Sequence, residues 1–325
     1  MKNSIIFLLI LSIFSCKQEP INMKVSGPIF GTFYDIIYAS NANKNYQKQL
    51  DSLFYVINKS MSNYQANSDI SKLNRNEAVT VDDHFINVFK ASKQLYREAE
   101  GVFDPTIGKL VNAWDFGSEK PKVKLDNVKI DSLKQYVGFN KVQLVDKTVK
   151  KQGGVFIDFN AIAKGYAVDV VAEFLERQAV ENYMVNIGGE LRAKGINKEK
   201  QSGWTVGIEN PNFDGSQSTN MVFKLKDKAM ATSGTYRKFK VDANGNRYAH
   251  ILNTKTGYPS KTSILSVSVI TDTCMFADGY ATALQAMGIE DAKNFLTKHP
   301  ELKAYFIFEN EKLELESLSL NGFGG

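Results

Sequence analysis

Two oxygen-bearing side chains near the C-terminal end of the sequence are spaced as ligands of a cation would be. Asp278 and Thr282 lie four residues apart in a segment, 277–284, whose pattern predicts a helix. Residues four apart share one helix face, so the carboxylate and the hydroxyl lie one turn apart. Mg²⁺ prefers oxygen ligands of this kind, together with substrate phosphates. The pair is therefore a candidate magnesium site, although an Asp near a helix start and a core-facing Thr have the same spacing.

A second candidate site lies where an apolar run ends and a helix begins. Residues 155–159 have the pattern of a short buried strand carrying Asp158, and the apolar spacing over 161–178 predicts a helix. A helix N-terminus attracts anions, and Lys164 adds a positive charge there. Asn160, in the intervening turn, tolerates left-handed backbone. The arrangement fits an anionic ligand, and the alternative is a β-α-β packing unit whose charged side chains are only solvated.

Two further segments offer groups for phosphate contact and proton transfer. Residues 232–237, Thr-Ser-Gly-Thr-Tyr-Arg, are a hydroxyl-rich turn followed by an Arg, which suits phosphate or ribose but also an ordinary hairpin. His250 lies beside a turn with hydroxyl neighbours and is the best candidate for a catalytic base, although a lone His is more often structural. Tyr64 and Phe103 offer aromatic surfaces on predicted loops, although aromatic side chains are more often core.

Several other chemistries are excluded by the sequence. The three histidines, at positions 84, 250 and 299, are far apart and lack the spacing of zinc ligands. There is no P-loop, no GxGxxG and no GxSxG motif, so a triad of Ser233, His250 and Asp104 lacks its nucleophile elbow. The net charge of +5 is small for 325 residues and is spread along the chain, which argues against a nucleic-acid partner.

The elements that must position these residues are a mixture of helices and strands. Besides 161–178, helical periodicity marks 46–61 and 85–99, and a short helix is expected between the N-cap Ser68 and Leu73. Strand patterns recur at 34–38, 142–145, 183–187, 204–208, 221–225, 266–270 and 304–308. The pattern predicts an α+β or layered mixed α/β fold. No repeat or linker divides residues 26–325, which are expected to form a single catalytic domain.

The first 25 residues predict a targeting segment. Lys2 and the apolar run 5–14 are typical of a signal peptide, and the run is too short to span a bilayer as a stable anchor. It ends at Cys16 in an order that resembles a bacterial lipobox. Residues 1–15 are therefore predicted to be a lipoprotein signal peptide, Cys16 the lipidated residue and 16–25 a polar tether. Lipidated Cys16 would hold the protein on a membrane, facing the periplasm; the alternative is a plain secretory signal with an incidental Cys.

Eight short motifs follow one another along the mature chain. They are Phe-Gly-Thr at 30–32, Met-Ser-x-Tyr at 61–64, Gly-Val-Phe-Asp-Pro-Thr at 101–106, Asp-Phe-Asn-Ala-Ile-Ala-Lys-Gly-Tyr-Ala-Val-Asp at 158–169, Asn-Ile-Gly-Gly-Glu at 186–190, Ala-Thr-Ser-Gly at 231–234, His-Ile-Leu at 250–252 and Ala-Asp-Gly-Tyr-Ala-Thr at 277–282. In kind and order they closely resemble the motifs of the FAD:protein FMN transferases, the ApbE family. The resemblance covers essentially the whole mature chain.

The resemblance implies a role for each matching position. The flavin and adenosine ends of FAD would be held by Phe30, Tyr64, Val102, Phe103 and Asp104, with further contacts from Asp158, Lys164, Ile251 and Leu252. Mg²⁺ would be bound by the carbonyl of Ala161 together with Asp278 and Thr282. This chain departs from the family at three places: Phe30 stands where Met is usual, Asn160 where Gly is usual, and Asn253-Thr254 where Asp-Pro is usual.

The implied reaction is a Mg²⁺-dependent transfer of FMN from FAD to a Thr or Ser hydroxyl of an acceptor protein, with AMP released. His250 is the expected base, Asp278 acts through the metal, and Lys164 assists at the pyrophosphate. By the resemblance, the acceptors are flavin-bearing subunits of membrane redox pumps or extracytoplasmic reductases. Two alternatives use the same residues: a pyrophosphatase that releases FMN and AMP, and a carrier that binds FAD without turnover.

Overall fold

A computed structural model describes residues 21–40, 43–121, 125–236, 238–241 and 247–324 of the chain. Within these ranges the chain forms fourteen β-strands and eight α-helices. The strands are β1 (Ile21–Ile29), β2 (Thr32–Ser40), β3 (Gln143–Val145), β4 (Thr148–Lys150), β5 (Tyr183–Ile187), β6 (Glu190–Lys194), β7 (Trp204–Glu209), β8 (Thr219–Leu225), β9 (Lys228–Gly234), β10 (Phe239–Val241), β11 (Arg247–Ala249), β12 (Ile264–Thr271), β13 (Lys303–Glu309) and β14 (Leu315–Leu320). The helices are α1 (Gln47–Met61), α2 (Asp69–Asn74), α3 (Asp83–Glu98), α4 (Gly108–Ala113), α5 (Asn127–Lys134), α6 (Ala163–Arg177), α7 (Cys274–Met287) and α8 (Ile289–Lys298).

One antiparallel sheet organises the molecule. Its eight strands lie in the order β1-β2-β5-β6-β9-β12-β13-β14, and three separate hairpins are formed by β3–β4, β7–β8 and β10–β11. None of the helices in the described residues is both long enough and apolar enough to cross a bilayer. The sheet and the eight helices of the described residues form one layered structure, so the predicted mixed α/β fold is confirmed.

The two faces of the sheet are covered differently. Helices α6 and α7 pack on one face, where α6 contacts β5 and β6, and α7 contacts β9 and β12. The β7–β8 hairpin covers the other face with a smaller apolar cluster centred on Trp204, which is 1% exposed. The Trp204 ring nitrogen donates to the Lys194 carbonyl at 2.9 Å. Because both faces are covered, β12 is buried along nearly its whole length, as expected for a strand in the middle of a layered fold.

The segment 155–159, which was predicted to be a strand, is not one. Among the described residues, its only ladder contact is an isolated parallel bridge between Phe156 and Ile107. The side chain of Asn74 takes the place of a neighbouring strand: it accepts from the N–H of Ile157 at 2.8 Å and donates to the Ile157 carbonyl at 2.8 Å. The Asp158 N–H donates to the carbonyl of Pro105 at 2.8 Å. The buried backbone is therefore satisfied without a sheet.

Three further predictions are corrected by the structure. Strand β1 begins at Ile21, so residues 21–25 of the predicted tether belong to the sheet; residues 1–20, including Cys16, lie outside the described part of the chain. Residues 232–234 are the end of strand β9 rather than a turn, and position 237 is not described. Asn160 does not have the left-handed backbone expected of it, because Asp158 closes that turn by accepting from the Asn160 N–H at 2.7 Å.

Candidate active site

A cavity of about 1170 Å³ opens where the loops at one end of the sheet meet the N-terminal ends of α6 and α7. Thirteen of the residues predicted to form the site have described positions, and all thirteen line this cavity. They are Phe30, Tyr64, Val102, Phe103, Asp104, Asp158, Ala161, Lys164, His250, Ile251, Leu252, Asp278 and Thr282. Residues from positions 30 to 282 are thus brought into one volume, although the role of each remains a prediction.

One corner of the cavity carries the three predicted metal ligands. The Gly165 N–H, which in a regular helix would bond the carbonyl of Ala161, donates instead to Asp278 Oδ2 at 3.0 Å. Among the described residues, no main-chain N–H donates to the Ala161 carbonyl. The Thr282 hydroxyl lies 3.2 Å from that of Ser233 on β9. A free carbonyl, a carboxylate and a hydroxyl form an all-oxygen donor set, which fits Mg²⁺.

The charge of this corner is sensitive to its surroundings. Burial raises the pKa of Asp278, while the Lys164 ammonium and the Gly165 N–H oppose that rise. Within the described residues, no group of three or more His, Cys, Asp or Glu side chains is placed to hold a metal. A cation here would therefore depend on the hydroxyl and carbonyl oxygens as well as on Asp278.

Helix α7 is held against α6 by a buried carboxylate. Asp169 accepts from the N–H groups of Cys274 at 3.0 Å and Met275 at 2.8 Å, at the first two residues of α7. Asp169 also forms an ion pair with Arg192 on β6 at 2.9 Å. These contacts satisfy the open N–H groups at the helix start, where negative charge is favoured. They fix the position from which Asp278 faces the cavity.

Helices α6 and α7 are in close contact at Gly165. A Cβ atom added there would lie 2.2 Å from the carbonyl oxygen of Cys274 and 2.8 Å from the Cβ of Asp278. Only glycine therefore allows the two helices to bring Asp278 next to the start of α6. The Ile-Ala-Lys-Gly order of the motif has a steric reason at its fourth position.

We expect Gly165→Ala to destabilise the protein. Alanine favours a helix over glycine by about 1 kcal/mol, but overpacking against a fixed main-chain oxygen costs about 1–3 kcal/mol, and at 2.2 Å the clash should win. The measurement is urea unfolding. Gly153→Ala is the matched control, because a Cβ at Gly153 meets nothing within 4 Å. A Gly165→Ala protein as stable as the control would contradict this account of the helix contact.

Lys164 is held by a carboxylate that was not assigned from the sequence. Its Nζ lies 2.5 Å from Oε1 of Glu190, the first residue of β6. Although burial favours the neutral amine, the carboxylates of Glu190 and Asp278 raise the pKa of Lys164 above its usual value. Burial raises the pKa of Glu190 to about 7, against the opposing charge of Lys164. The lysine thus enters the cavity as a cation that already has a partner.

Asp158 and Lys238 form a second, looser pair of charges. Burial raises the pKa of Asp158, and hydrogen bonds from Asn160 together with the charge of Lys238 oppose the rise. The pKa of Lys238 is lowered by burial, and the negative charge of Asp158 opposes only part of that decrease. The Lys238 ammonium donates to the carbonyl of Phe116 at 2.8 Å. Lys238 lines the cavity and gives it a cation besides Lys164.

His250 is oriented by the main chain of Lys238. Its Nδ1 lies 3.1 Å from the Lys238 carbonyl, which can only accept, so Nδ1 carries the proton and Nε2 has the free lone pair. Burial, together with the charges of Lys238 and Lys164, lowers the pKa of His250 to about 4. The ring is therefore neutral at neutral pH and able to accept a proton at Nε2. General-base catalysis favours a pKa near the working pH, and in the ligand-free protein the pKa of His250 lies below that range.

The aromatic residues Phe30, Tyr64 and Phe103 are among those that line the cavity. Phe30 and Gly31 form the two-residue turn between β1 and β2, with φ of 49° and 75°, as a type I′ hairpin requires. The unusual backbone at Phe30 places its ring edge-on to Phe54, with centroids 5.7 Å apart. Tyr64 is 63% exposed, whereas Phe103 is 4% exposed and belongs to the core. Phe103 therefore follows the core alternative in its burial, although it lies in a loop that borders the cavity.

Two of the predicted FAD contacts have structural partners of their own. Asp104 Oδ1 accepts from the N–H and the hydroxyl of Thr106, and its Oδ2 accepts from Phe139 N–H at 3.1 Å. These bonds hold the loop that carries Val102 and Phe103. Leu252 packs in a satellite cluster with Leu110, Ile130 and Leu133. Both residues border the cavity, but the observed contacts of these side chains hold the surrounding loops.

Sequence reasoning missed Glu190 and Lys238 as members of the site. Glu190 is in the Asn-Ile-Gly-Gly-Glu motif, and the left-handed Gly188 and Gly189, with φ of 65° and 104°, turn the chain so that β6 begins at the cavity. The double glycine was the available signal for Glu190. Lys238 lies four residues beyond the Ala-Thr-Ser-Gly motif and had no signal of its own.

Comparison with known proteins agrees with this geometry. The ApbE family matches residues 30–306. The chain is 36% identical to the FAD:protein FMN transferase of Vibrio cholerae over 290 residues, 86% of each chain. It is 33% identical to the protein of that name from Haemophilus influenzae over 316 residues, covering 93% of this chain and 90% of the relative.

Solved structures give the same result at the level of the fold. The flavin transferase ApbE from Vibrio cholerae superposes with a TM-score of 0.83 at 33% identity, over 92% of this chain and 97% of the other. The apo form of Pseudomonas stutzeri flavinyl transferase ApbE superposes with a TM-score of 0.82 at 26% identity, over 93% and 95%. In its motifs, in its fold and in the matched length, this chain belongs to the ApbE family.

Proposed function

We propose that this protein transfers FMN from FAD to a Thr or Ser hydroxyl of an acceptor protein, in a Mg²⁺-dependent reaction that releases AMP. The observation that carries the proposal is the convergence of Ala161, Asp278 and Thr282 with Lys164 in one cavity. Its volume of about 1170 Å³ exceeds that of most small-ligand pockets, which span roughly 300–1,000 Å³, and so suits a dinucleotide. Flavin transfer is also the activity in the names of the relatives.

The side chains that line the cavity form two groups, and each group suits a different part of such a substrate. The corner with Asp278 and Lys164 suits the pyrophosphate, because it offers cation ligands beside a fixed ammonium. A second group of lining residues, Tyr64, Phe30 and Asp158, suits a ring system with hydrogen-bonding edges. When bound, Mg²⁺ would neutralise negative charge on the pyrophosphate oxygens.

The transfer step is a substitution at phosphorus. The acceptor hydroxyl oxygen forms a bond to the phosphorus of the FMN half, and the bond from that phosphorus to the bridging oxygen breaks. The bridging oxygen and its electron pair leave with AMP, and the hydroxyl proton passes to Nε2 of His250. Lys164 would stabilise the negative charge that accumulates on the pyrophosphate without rearrangement, because Glu190 already holds the ammonium in place.

Product analysis tests this proposal against the two alternatives. Purified protein is incubated with FAD, with and without Mg²⁺ and an acceptor, and AMP and FMN are quantified. If the protein is a transferase, AMP forms only with Mg²⁺ and its amount increases when acceptor is added. The amount of free FMN then stays below the amount of AMP. Equal AMP and FMN without acceptor would identify a pyrophosphatase. Bound FAD without any AMP, even with acceptor, would identify a carrier. The acceptor to test first is a flavin-bearing subunit of a membrane redox pump or an extracytoplasmic reductase.

The location of the enzyme is part of the same proposal. The apolar run 5–14 followed by Cys16 and a polar segment supports a lipid-anchored protein that faces the periplasm. We expect Cys16→Ser to give a protein that no longer fractionates with membranes but remains active. The measurement is fractionation of cells that express each form, with transfer assayed in both fractions. A Cys16→Ser protein that stays with the membrane would show that the lipid anchor is assigned wrongly.

A further inference from the structure

Glu190 is a buried carboxylate with one oxygen engaged and one free. The residue is 3% exposed, and its Oε1 lies 2.5 Å from Lys164 Nζ. Its Oε2 is buried and has no hydrogen-bond partner within the described residues. More than about 90% of buried polar groups in proteins are paired, and an unpaired oxygen on a charged group is especially costly. Because Glu190 lines the cavity, the free oxygen indicates a partner that arrives with the ligands.

The charges around Glu190 indicate what kind of partner this is. Glu190 and Asp278 flank a single ammonium, that of Lys164, and each of the three interacts electrostatically with the other two. With all three groups ionised, the corner has a net charge of −1. A pyrophosphate would be repelled by that charge, whereas a divalent cation would reverse it to +1. A cation is therefore the partner that satisfies the corner.

We propose that Glu190 is a positioning residue of the cation site: Oε1 holds Lys164 in place, while the carboxylate charge and the free Oε2 raise the affinity of the Ala161, Asp278 and Thr282 corner for a divalent cation. The inference rests on the Mg²⁺ dependence in the proposed function. The double-glycine turn before β6 fits this role, because it brings the first residue of β6 to the cavity wall.

The competing role for Glu190 is purely structural. A counter-ion that only neutralises Lys164 would use Oε1 and leave the affinity for a cation unaffected, apart from damage caused by breaking the ion pair. Glu190→Gln and Lys164→Gln break the same pair but remove opposite charges. Structural damage should weaken cation binding in both variants, whereas a direct effect of the Glu190 charge should weaken it only in Glu190→Gln.

The experiment measures Mn²⁺ binding to the FAD-free protein at pH 8, by electron paramagnetic resonance of the free ion. We expect Glu190→Gln to raise the Kd for Mn²⁺ by about 10–100-fold, the range found when groups around metal ligands are removed. Lys164→Gln should bind Mn²⁺ at least as tightly as the wild type. Glu190→Asp keeps the charge on a shorter side chain and should bind more tightly than Glu190→Gln. Thermal unfolding of each variant shows that it is folded.

Any of three results would overturn the inference. An unchanged Kd in folded Glu190→Gln, or equal weakening in Glu190→Gln and Lys164→Gln, would leave Glu190 only as the counter-ion of Lys164. In either case wild-type binding of Mn²⁺ would leave the proposed metal dependence intact. Absence of Mn²⁺ binding by the FAD-free wild type would overturn the inference alone, because substrate phosphates can complete a Mg²⁺ site. The metal dependence is tested separately by AMP release with and without Mg²⁺, so the two failures are distinguishable. If Glu190→Gln does not fold, Glu190→Asp carries the test, and a Kd for Mn²⁺ raised by tenfold or more over the wild type would count against a role for the charge.

Discussion

We expect Asp278→Ala to lose FMN transfer almost completely while remaining folded. Asp278 supplies the one carboxylate among the three proposed cation ligands. A cation that stabilises the charge of a phosphoryl group is worth several kcal/mol. A loss of about 4 kcal/mol corresponds to a rate lower by about 10³-fold. Single-turnover transfer at saturating FAD and Mg²⁺ measures the effect.

The controls for Asp278 separate loss of the charge from loss of the helix contact. Asp278→Asn keeps an oxygen that can accept the Gly165 N–H, so it should keep stability while losing most of the rate. Asp291→Ala removes an exposed carboxylate from α8 and should change neither property. Full turnover by Asp278→Ala in buffer treated with a chelator would rule out the metal assignment.

The second large effect is expected at His250. If Nε2 takes the proton of the acceptor hydroxyl, His250→Gln should slow transfer by about 10²–10⁴-fold, as the loss of a general base does. FAD affinity should stay within a small factor. Binding is followed by flavin fluorescence, and transfer by single-turnover kinetics. His84→Gln is the control, because His84 pairs with the Tyr166 hydroxyl and is not part of the cavity wall.

Other outcomes at His250 would assign a different role. Equal losses of FAD affinity and rate would make it a contact of the cofactor, and an unchanged rate would exclude both roles. The pH dependence gives an independent check. A base must be neutral to act, and the pKa of His250 is lowered to about 4 in the free protein. The titration of His250 should therefore leave the rate at low FAD unchanged between pH 6 and 8, and it should lower the rate only as the pH drops towards 4.

Local pattern was sufficient to predict some elements. Helix α6, expected over 161–178, is found at Ala163–Arg177, and strand β5 has the expected bounds, 183–187. Both have apolar periodicities that depend only on their own sequence. Ser68 accepts from Ser71 N–H, as its N-cap position predicts. The predicted family and the mixed fold are also confirmed. Both predictions used eight ordered motifs, which can be read from the sequence without knowledge of long-range contacts.

Other elements depend on partners that are distant in sequence. The strands missed by the sequence patterns are β1, β4, β6, β9, β10, β11 and β14. Two of them lie inside the main sheet: β6 carries Glu190, Arg192 and Lys194, and β9 is rich in small residues, neither of which is typical of strands. Hydrogen bonds to neighbouring strands of the sheet make these segments strands although their residues have low strand propensity. The converse holds at 155–159, where an apolar run with strand propensity bonds to Asn74 instead.

The candidate site likewise has features that local sequence predicts and features that depend on distant contacts. Asp278 and Thr282 share a helix face, so their spacing alone indicated a cation site. The bond from Gly165 to Asp278, which frees the Ala161 carbonyl, joins residues 113 positions apart. The pairing of Lys164 with Glu190 likewise needs α6 to pack on β6. No periodicity reports such contacts, so the electrostatic arrangement of the corner required the structure.

The intact mass of the acceptor tests the central claim most directly. Purified protein, FAD and Mg²⁺ are incubated with a flavin-bearing subunit of a membrane redox pump, and the acceptor is weighed by mass spectrometry and then fragmented. The account predicts that its mass rises by one FMN less one water, at a Thr or Ser side chain, with one AMP formed for each acceptor modified. An unmodified acceptor beside free FMN and AMP would contradict the account.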